Sequence, residues 1–285
     1  MNLVREKIVK ANGVDLCVET FGDPADPAIL LIMGSGASMD WWEDEFCERL
    51  AAGSRLVIRY DHRDTGRSIS YEPGAPEYTF ADLVDDAVGL LDSLGVARAH
   101  LVGMSMGGAI AQLAALNHPE RVASLTLVST SPAGPNEPDL PSMSEEGAAL
   151  FTIDHPDWTD RTAVVDHMVH LASASASPSR RFDEAALRGL AGRVFDRTAN
   201  IASTMTNHNL IDGGERWRER LAELRVPTLV VHGSDDPVLP LGHGRALANE
   251  IPGAGLLVLE HTGHELPPAA WDLVIPAILE QTSGG

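Results

Sequence analysis

The stretch HLVGMSMGGA, His100 to Ala109, sets an apolar run against a serine that stands between two methionines and two glycines. Its centre is Gly103-x-Ser105-x-Gly107. Upstream, AHLVGMS is short and apolar, as a strand buried on both faces would be. Downstream, MGGAIAQLAALNH is rich in alanine and stops at Pro119, which marks a helix. A serine at such a junction sits on a tight strand-to-helix turn, where side chains at the two glycine positions would collide with neighbouring backbone. The turn holds the hydroxyl out from the chain, as a nucleophile requires. The pentapeptide alone is a moderate signal in a chain with 26 glycines, so its weight depends on finding partners.

Working outward, the same alternation of strand and helix recurs. REKIVKANGVDLCVETFG reads as a hairpin turning at Asn12-Gly13. AILLIMG and RLVIRYD read as buried strands, with Asp40 and Glu43 between them spaced as a capping box that opens a helix running to about Ala51. Thr79 caps FADLVDDAVGLLDSLG, whose Leu83, Val84, Ala87, Val88, Leu91 and Leu94 form one stripe and whose Gly95 closes it. RVASLTLVST, PTLVVHG and GLLVLE add three more strands. The expected fold is therefore of the α/β class, a mostly parallel sheet with helices on both faces. Ligands of such sheets sit beyond the carboxyl ends of the strands, the edge at which Ser105 falls.

From Ser131 to Arg225 the strand rhythm is lost. SPAGPNEPDLPSMS is a Pro-rich linker, and helical patterns rich in Ala and Arg follow, with SASASPS as an internal turn. We read residues 131–225 as an inserted helical cap, and 1–130 with 226–285 as the core domain.

A serine hydroxyl needs a base, and the base needs a carboxylate to orient it. VVHGSDDPVLP places Asp235 and Asp236 just past one strand, and LEHTGHELPP places His261 and His264 just past the next. Ser, Asp and His arrive in that order, each at the same sheet edge, a coincidence far less probable than the pentapeptide alone. Asp236 precedes Pro237 and the VLP segment, and His264 follows the permissive Gly263, so these are the chosen partners. Asp235 and His261 are expected as solvated loop residues. The developing oxyanion needs donors, of which the backbone N–H of Met106, next to the nucleophile, is one.

Composition narrows the class. Hydrophobic residues make up 44% and charged residues 22%, as in an ordinary globular enzyme. The formal net charge of −20 excludes a nucleic-acid footprint and disfavours anionic membranes. Two cysteines offer neither a disulfide framework nor metal-ligand spacing. The N-terminus lacks an apolar signal segment, so a cytoplasmic location is expected. His167 and His170 lack the spacing of a zinc helix and read as a polar helix face. No metal and no organic cofactor is expected; the partner is a small-molecule ester.

The segments FGDPADPAILLIMGSG, VIRYDHRDTGRS, VGMSMGG, PTLVVHGSDDPV and TGHELP carry a resemblance to the α/β-hydrolase superfamily over nearly the whole chain. Within it, the chain is most similar to the anthracycline (aclacinomycin-type) methylesterase and macrolide esterase-like branch. The resemblance implies the triad Ser105, Asp236 and His264. It implies a structural role for Asp61, Arg63, Gly66 and Ser68, the Asp-x-Arg-x-x-Gly-x-Ser element. It also assigns the second oxyanion donor to the Ser35 backbone, in the loop Met33-Gly34-Ser35. Met33 stands where the superfamily commonly has histidine, and the three-glycine loop of tertiary-alcohol esterases is absent.

The resemblance further implies a bulky polyketide-derived ester or macrolactone as substrate. Met205 and His208, one helical turn apart, and Met33 with Gly34 are candidate substrate-lining residues, since methionine adapts to irregular apolar ligands. One of Trp41 and Trp42 is expected in the core. An aspartate-nucleophile relative is excluded by Ser105, and an epoxide hydrolase by the lack of cap tyrosines, since Tyr60, Tyr71 and Tyr78 all precede the insertion. A small-ester or lactone hydrolase, a cofactor-free perhydrolase and a carbon–carbon bond hydrolase keep the same triad. A ligand-binding protein without turnover belongs to a different class, and failure of Ser105 to react with an activated phosphonate would favour it.

Overall fold

The computed structural model describes residues 6–132, 137–180 and 182–283. Strands β1 (Glu6–Ala11) and β2 (Val14–Phe21) pair antiparallel around Asn12 and Gly13, both at positive φ, as the hairpin dipeptide requires. β3 (Ala28–Ile32), β4 (Leu56–Tyr60), β5 (Ala99–Met104), β6 (Val122–Val128), β7 (Thr228–Gly233) and β8 (Gly255–Leu259) follow. They form one sheet in the order β1-β2-β4-β3-β5-β6-β7-β8, antiparallel at β1, β2 and β4 and parallel from β4 onward.

Successive strand residues point to opposite faces, so each central strand feeds two cores. Leu30 and Ile32 pack on one face with Leu83 and Leu90 of α2 (Phe80–Ser93), Ile110 of α3 (Met106–Asn117), and Leu247 from a helix after β7. Ile29 and Leu31 pack on the other face with Phe46 and Leu50 of α1 (Asp44–Ala51) and with Val274 and Ile278 of the last helix. Thr79 caps α2 in a reciprocal box with Asp82, as expected.

Between β6 and β7 the chain runs through α4 (Glu145–Ala149), α5 (Arg161–Ser175), α6 (Glu184–Arg197) and α7 (Ile201–Thr206). α8 (Gly242–Glu250) and α9 (Trp271–Gln281) complete the core. α5 and α6 share a separate cluster built from Val164, Met168, Leu190 and Val194. Trp42 is buried in the core, while Trp41 is half-buried between the core and this cluster. No helix among the described residues is long and apolar enough to cross a membrane.

Two local expectations are corrected. The capping box at Asp40 and Glu43 does not form: Met39–Trp41 is a 3-10 turn, and α1 begins at Asp44 without a side-chain cap. Asp40 is drawn away because its carboxylate accepts from Ser38 Oγ at 2.6 Å and from Arg197 at 3.0 Å. The SASASPS turn begins only at Ala176. Its first three residues stay helical, with Ser175 Oγ donating back to Leu171 O, before Pro178 interrupts the chain.

Candidate active site

Ser105 takes φ 52° and ψ −118° between β5 and α3, a strained conformation for a residue with a side chain. The surroundings enforce it. A Cβ at position 103 would lie 2.2 Å from Gly107 O, and one at position 107 would lie 2.1 Å from Ile32 O. Ser105 N–H donates to Val128 O at 2.9 Å, and Thr130 Oγ1 donates to Ser105 O at 2.7 Å. With both backbone groups bonded, the hydroxyl alone is directed outward.

Asp236 and His264 meet this hydroxyl. Asp236 leaves β7 in a tight turn whose Val238 and Leu239 N–H groups donate to Oδ1 at 2.9 and 2.8 Å. Its Oδ2 lies 2.8 Å from His264 Nδ1, and His264 Nε2 lies 3.0 Å from Ser105 Oγ. A carboxylate only accepts, so Nδ1 carries the ring hydrogen, Nε2 presents a lone pair, and the serine donates to it. The loop carrying His264 is tied to the insertion, where its backbone N–H donates to Ser175 O at 2.8 Å.

The β3 loop comes up beside the serine. A Cβ added at Gly34 would stand 3.3 Å from Ser105 Cβ and 3.9 Å from its Oγ. Met106 opens α3, and the first N–H groups of a helix have no intrahelical acceptor. Met33 is buried and Met106 half-buried at this junction. Met205 packs partly buried against the α5–α6 cluster. His208 is spent on the fold: its Nδ1 accepts from Gly36 N–H at 3.0 Å and its Nε2–H donates to Arg63 O at 2.8 Å. Neither nitrogen is left for a ligand.

Asp235 also departs from expectation. Rather than facing solvent, it accepts from Ser177 Oγ of the insertion at 2.5 Å and from Ser234 Oγ at 2.7 Å, and these bonds hold its carboxyl below the usual range. His261 is exposed, as read.

Asp61, just past β4, is fully buried. Its oxygens accept from Met39 N–H, Arg67 N–H and both terminal nitrogens of Arg197. Burial pushes this carboxyl up, and Arg197 pulls against it. Gly66 is required here, since a Cβ would fall 2.2 Å from Asp61 Oδ2. Arg63 grips buried Asp86 through two bonds of 2.7 and 2.8 Å, while Ser68 bridges Asp61 O and Cys17 N–H. Arg197 and His62 were not picked out from the sequence, although His62 lies inside the quoted YDHRDTGRS motif.

Among the described residues no group of three or more His, Cys, Asp or Glu is placed to hold a metal ion. A cleft of about 420 Å³ lined by Arg98, Pro119, Glu223 and Arg225 opens at the opposite, amino end of the sheet, away from Ser105, Asp236 and His264.

Comparison with known proteins agrees with this architecture. Residues 27–267 match the family described as alpha/beta hydrolase fold. The chain is 33% identical to rhodomycin D methylesterase DauP of Streptomyces sp. (strain C5) and to rhodomycin D methylesterase DnrP of Streptomyces peucetius. In each case the match covers 97% of this chain and 97% of the relative. The solved meta-cleavage product hydrolase CumD of Pseudomonas fluorescens IP01 superposes with a TM-score of 0.74 at 22% identity, covering 96% of both chains. The expected resemblance to anthracycline methylesterases holds along the whole chain, which is a hydrolase belonging to the α/β-hydrolase fold family.

Proposed function

We propose that this hydrolase cleaves a carboxylic ester of a bulky polyketide-type molecule through Ser105, His264 and Asp236. The observation that carries the reading is the unbroken line Asp236–His264–Ser105, at 2.8 and 3.0 Å, ending on a strained outward serine. His264 takes the Ser105 proton as Oγ attacks the ester carbonyl, and Asp236 stabilises the imidazolium that forms. The N–H groups of Ser35 and Met106 receive the oxyanion. His264 then protonates the leaving alcohol, and water, deprotonated by the same histidine, releases the acid. Every step uses side chains and backbone of this chain, without a cofactor.

The substrate class is supported by the similarity to two rhodomycin D methylesterases over nearly the full length. Residues 131–225 serve in this reading as a cap over the carboxyl edge, with Met33, Met106 and Met205 as apolar contacts. Mass spectrometry tests it after anthracycline methyl esters, macrolides and simple esters have been incubated with wild type and with Ser105→Ala. Loss of an ester methyl, formed only by wild type, supports a methylesterase. A macrolide heavier by one water places the reaction at a lactone. Products made equally by Ser105→Ala overturn the reading.

A further inference from the structure

The loop that would supply the Ser35 donor is gripped from both ends by buried histidines, one from the core and one from the insertion. His62, just past β4, is fully buried, and its Nε2 lies 3.0 Å from Met33 O. A carbonyl only accepts, so Nε2–H donates. His208 sits in the 3-10 turn Asn207–Asn209 that follows α7, 6% exposed. Its Nε2–H must donate to Arg63 O, which leaves Nδ1 as the acceptor for Gly36 N–H. The two rings meet edge to face at 5.9 Å. Burial lowers both pKa values, His62 to about 3, and the accepting Nδ1 of His208 requires that ring to be neutral.

The grip is specific in direction. Met33 is held by its carbonyl and Gly36 by its N–H, and of the residues between them Gly34 lies against Ser105 while Ser35 follows it toward solvent. Gly36 has φ +67°, so the chain turns sharply at the residue His208 holds. His208 is itself immobilised. Its neighbour Asn207 donates to Asp64 Oδ2 at 2.9 Å and accepts from Gly74 N–H at 2.7 Å, and Thr204 Oγ1 donates to Asp64 O at 2.5 Å. Asn209 adds a longer contact, accepting from Ser35 Oγ at 3.4 Å.

We propose that His208 is a positioning residue of the insertion, which sets the aim of the Ser35 N–H by holding Gly36 with a neutral Nδ1. The inference rests on the reading of Ser105 as nucleophile and Ser35 as oxyanion donor. A donor displaced by about 1 Å costs roughly 10²-fold in rate, so an unheld loop loses turnover rather than ground-state binding.

Two substitutions separate the ring's two bonds. His208→Asn places Oδ1 where Nδ1 was and keeps an acceptor for Gly36 but drops the bond to Arg63 O. His208→Gln reaches toward Arg63 O and abandons Gly36. With p-nitrophenyl butyrate and folding checked by circular dichroism, His208→Gln is expected to lose between about 10- and 100-fold in kcat with KM within about threefold. His208→Asn should retain most of kcat. A trifluoromethyl ketone, which forms a tetrahedral oxyanion on Ser105, should lose affinity for His208→Gln by the same factor as kcat/KM. Equal losses in the two variants, or loss of melting temperature without loss of ketone affinity, overturn the inference and leave the ester reading intact. Turnover that does not depend on Ser105 in wild type brings down both.

Discussion

The two sides of the candidate site are built by different kinds of contact. On the acid–base side, Asp236 is fixed by the N–H groups of Val238 and Leu239, two and three residues along the chain. On the side proposed to receive the oxyanion, Gly36 is fixed by His208, 172 residues away. Arg197, which supports the same region through Asp61, lies 136 residues from it. On the first side the carboxylate is therefore held by its own turn, and only the histidine loop reaches the segment between β6 and β7, through Ser175 O. On the other side the loop after β3 takes its Gly36 bond from the segment between β6 and β7 and its Met33 bond from His62.

Substitutions can test that contrast. Asp236→Asn leaves the local turn its acceptor but presents the wrong partner to His264, and kcat is expected to fall by about 10⁴ with the melting temperature little changed. If folding and activity fall together, the acid–base side is not locally built. Arg197→Met should do the reverse first. It leaves the fully buried Asp61 without its cation, a loss of about 3–5 kcal/mol in chemical denaturation. The exposed pair of Arg188 and Asp166 is the control, and Arg188→Met should cost no more than about 1 kcal/mol. Similar costs for the two arginines would remove the distinction between anchored and surface contacts.

Acid sharpens the same comparison. Burial lowers the pKa values of His62 and His208, and also of His100 and of His232 beside Asp236, below the value near 6.5 at which an unfolded histidine titrates. Between that value and their folded values the unfolded chain binds more protons, so stability is full above about pH 6.5 and falls as pH drops. Each histidine contributes up to roughly 1.4 kcal/mol per pH unit. Asp61, raised by burial, acts in the opposite sense, but only when pH reaches the carboxylate range. A urea midpoint that drops between pH 7.5 and 5.5 is expected, and a flat or rising one contradicts the neutral-histidine grip. The smallest effect is expected at Ser177→Ala, which removes the hydrogen bond to the half-buried Asp235 and the one its Oγ accepts from Ser179 N–H. It should cost about 1 kcal/mol and change kcat less than threefold, measured by thermal melts and ester turnover.

What could be read from the sequence follows the same division. Ser105, Asp236 and His264 were legible because each lies in a short motif at a strand end, and strand ends are set by local apolar runs. Thr79 with Asp82 was legible for the same reason. Asp40 was misread because its spacing to Glu43 fits a local cap, whereas the carboxylate finds Arg197 in three dimensions. Asp235 was read as solvated because nothing near it in sequence reports Ser177. His208 was read as facing a ligand because a polar residue one turn from a methionine suggests a pocket lining. Its two backbone partners, Gly36 and Arg63, carry no side-chain signal at all.

The long reach of the bond between Gly36 and His208 has a consequence in time. The sheet and its helices use contacts within the core, while the loop after β3 waits for a segment more than 160 residues downstream of it. Chains dominated by such separations close slowly, and larger proteins assemble through partly built states. During refolding, the sheet's circular dichroism would then return ahead of ester turnover. The interval between the two signals measures how long Ser105 stands formed before the loop after β3 is held beside it.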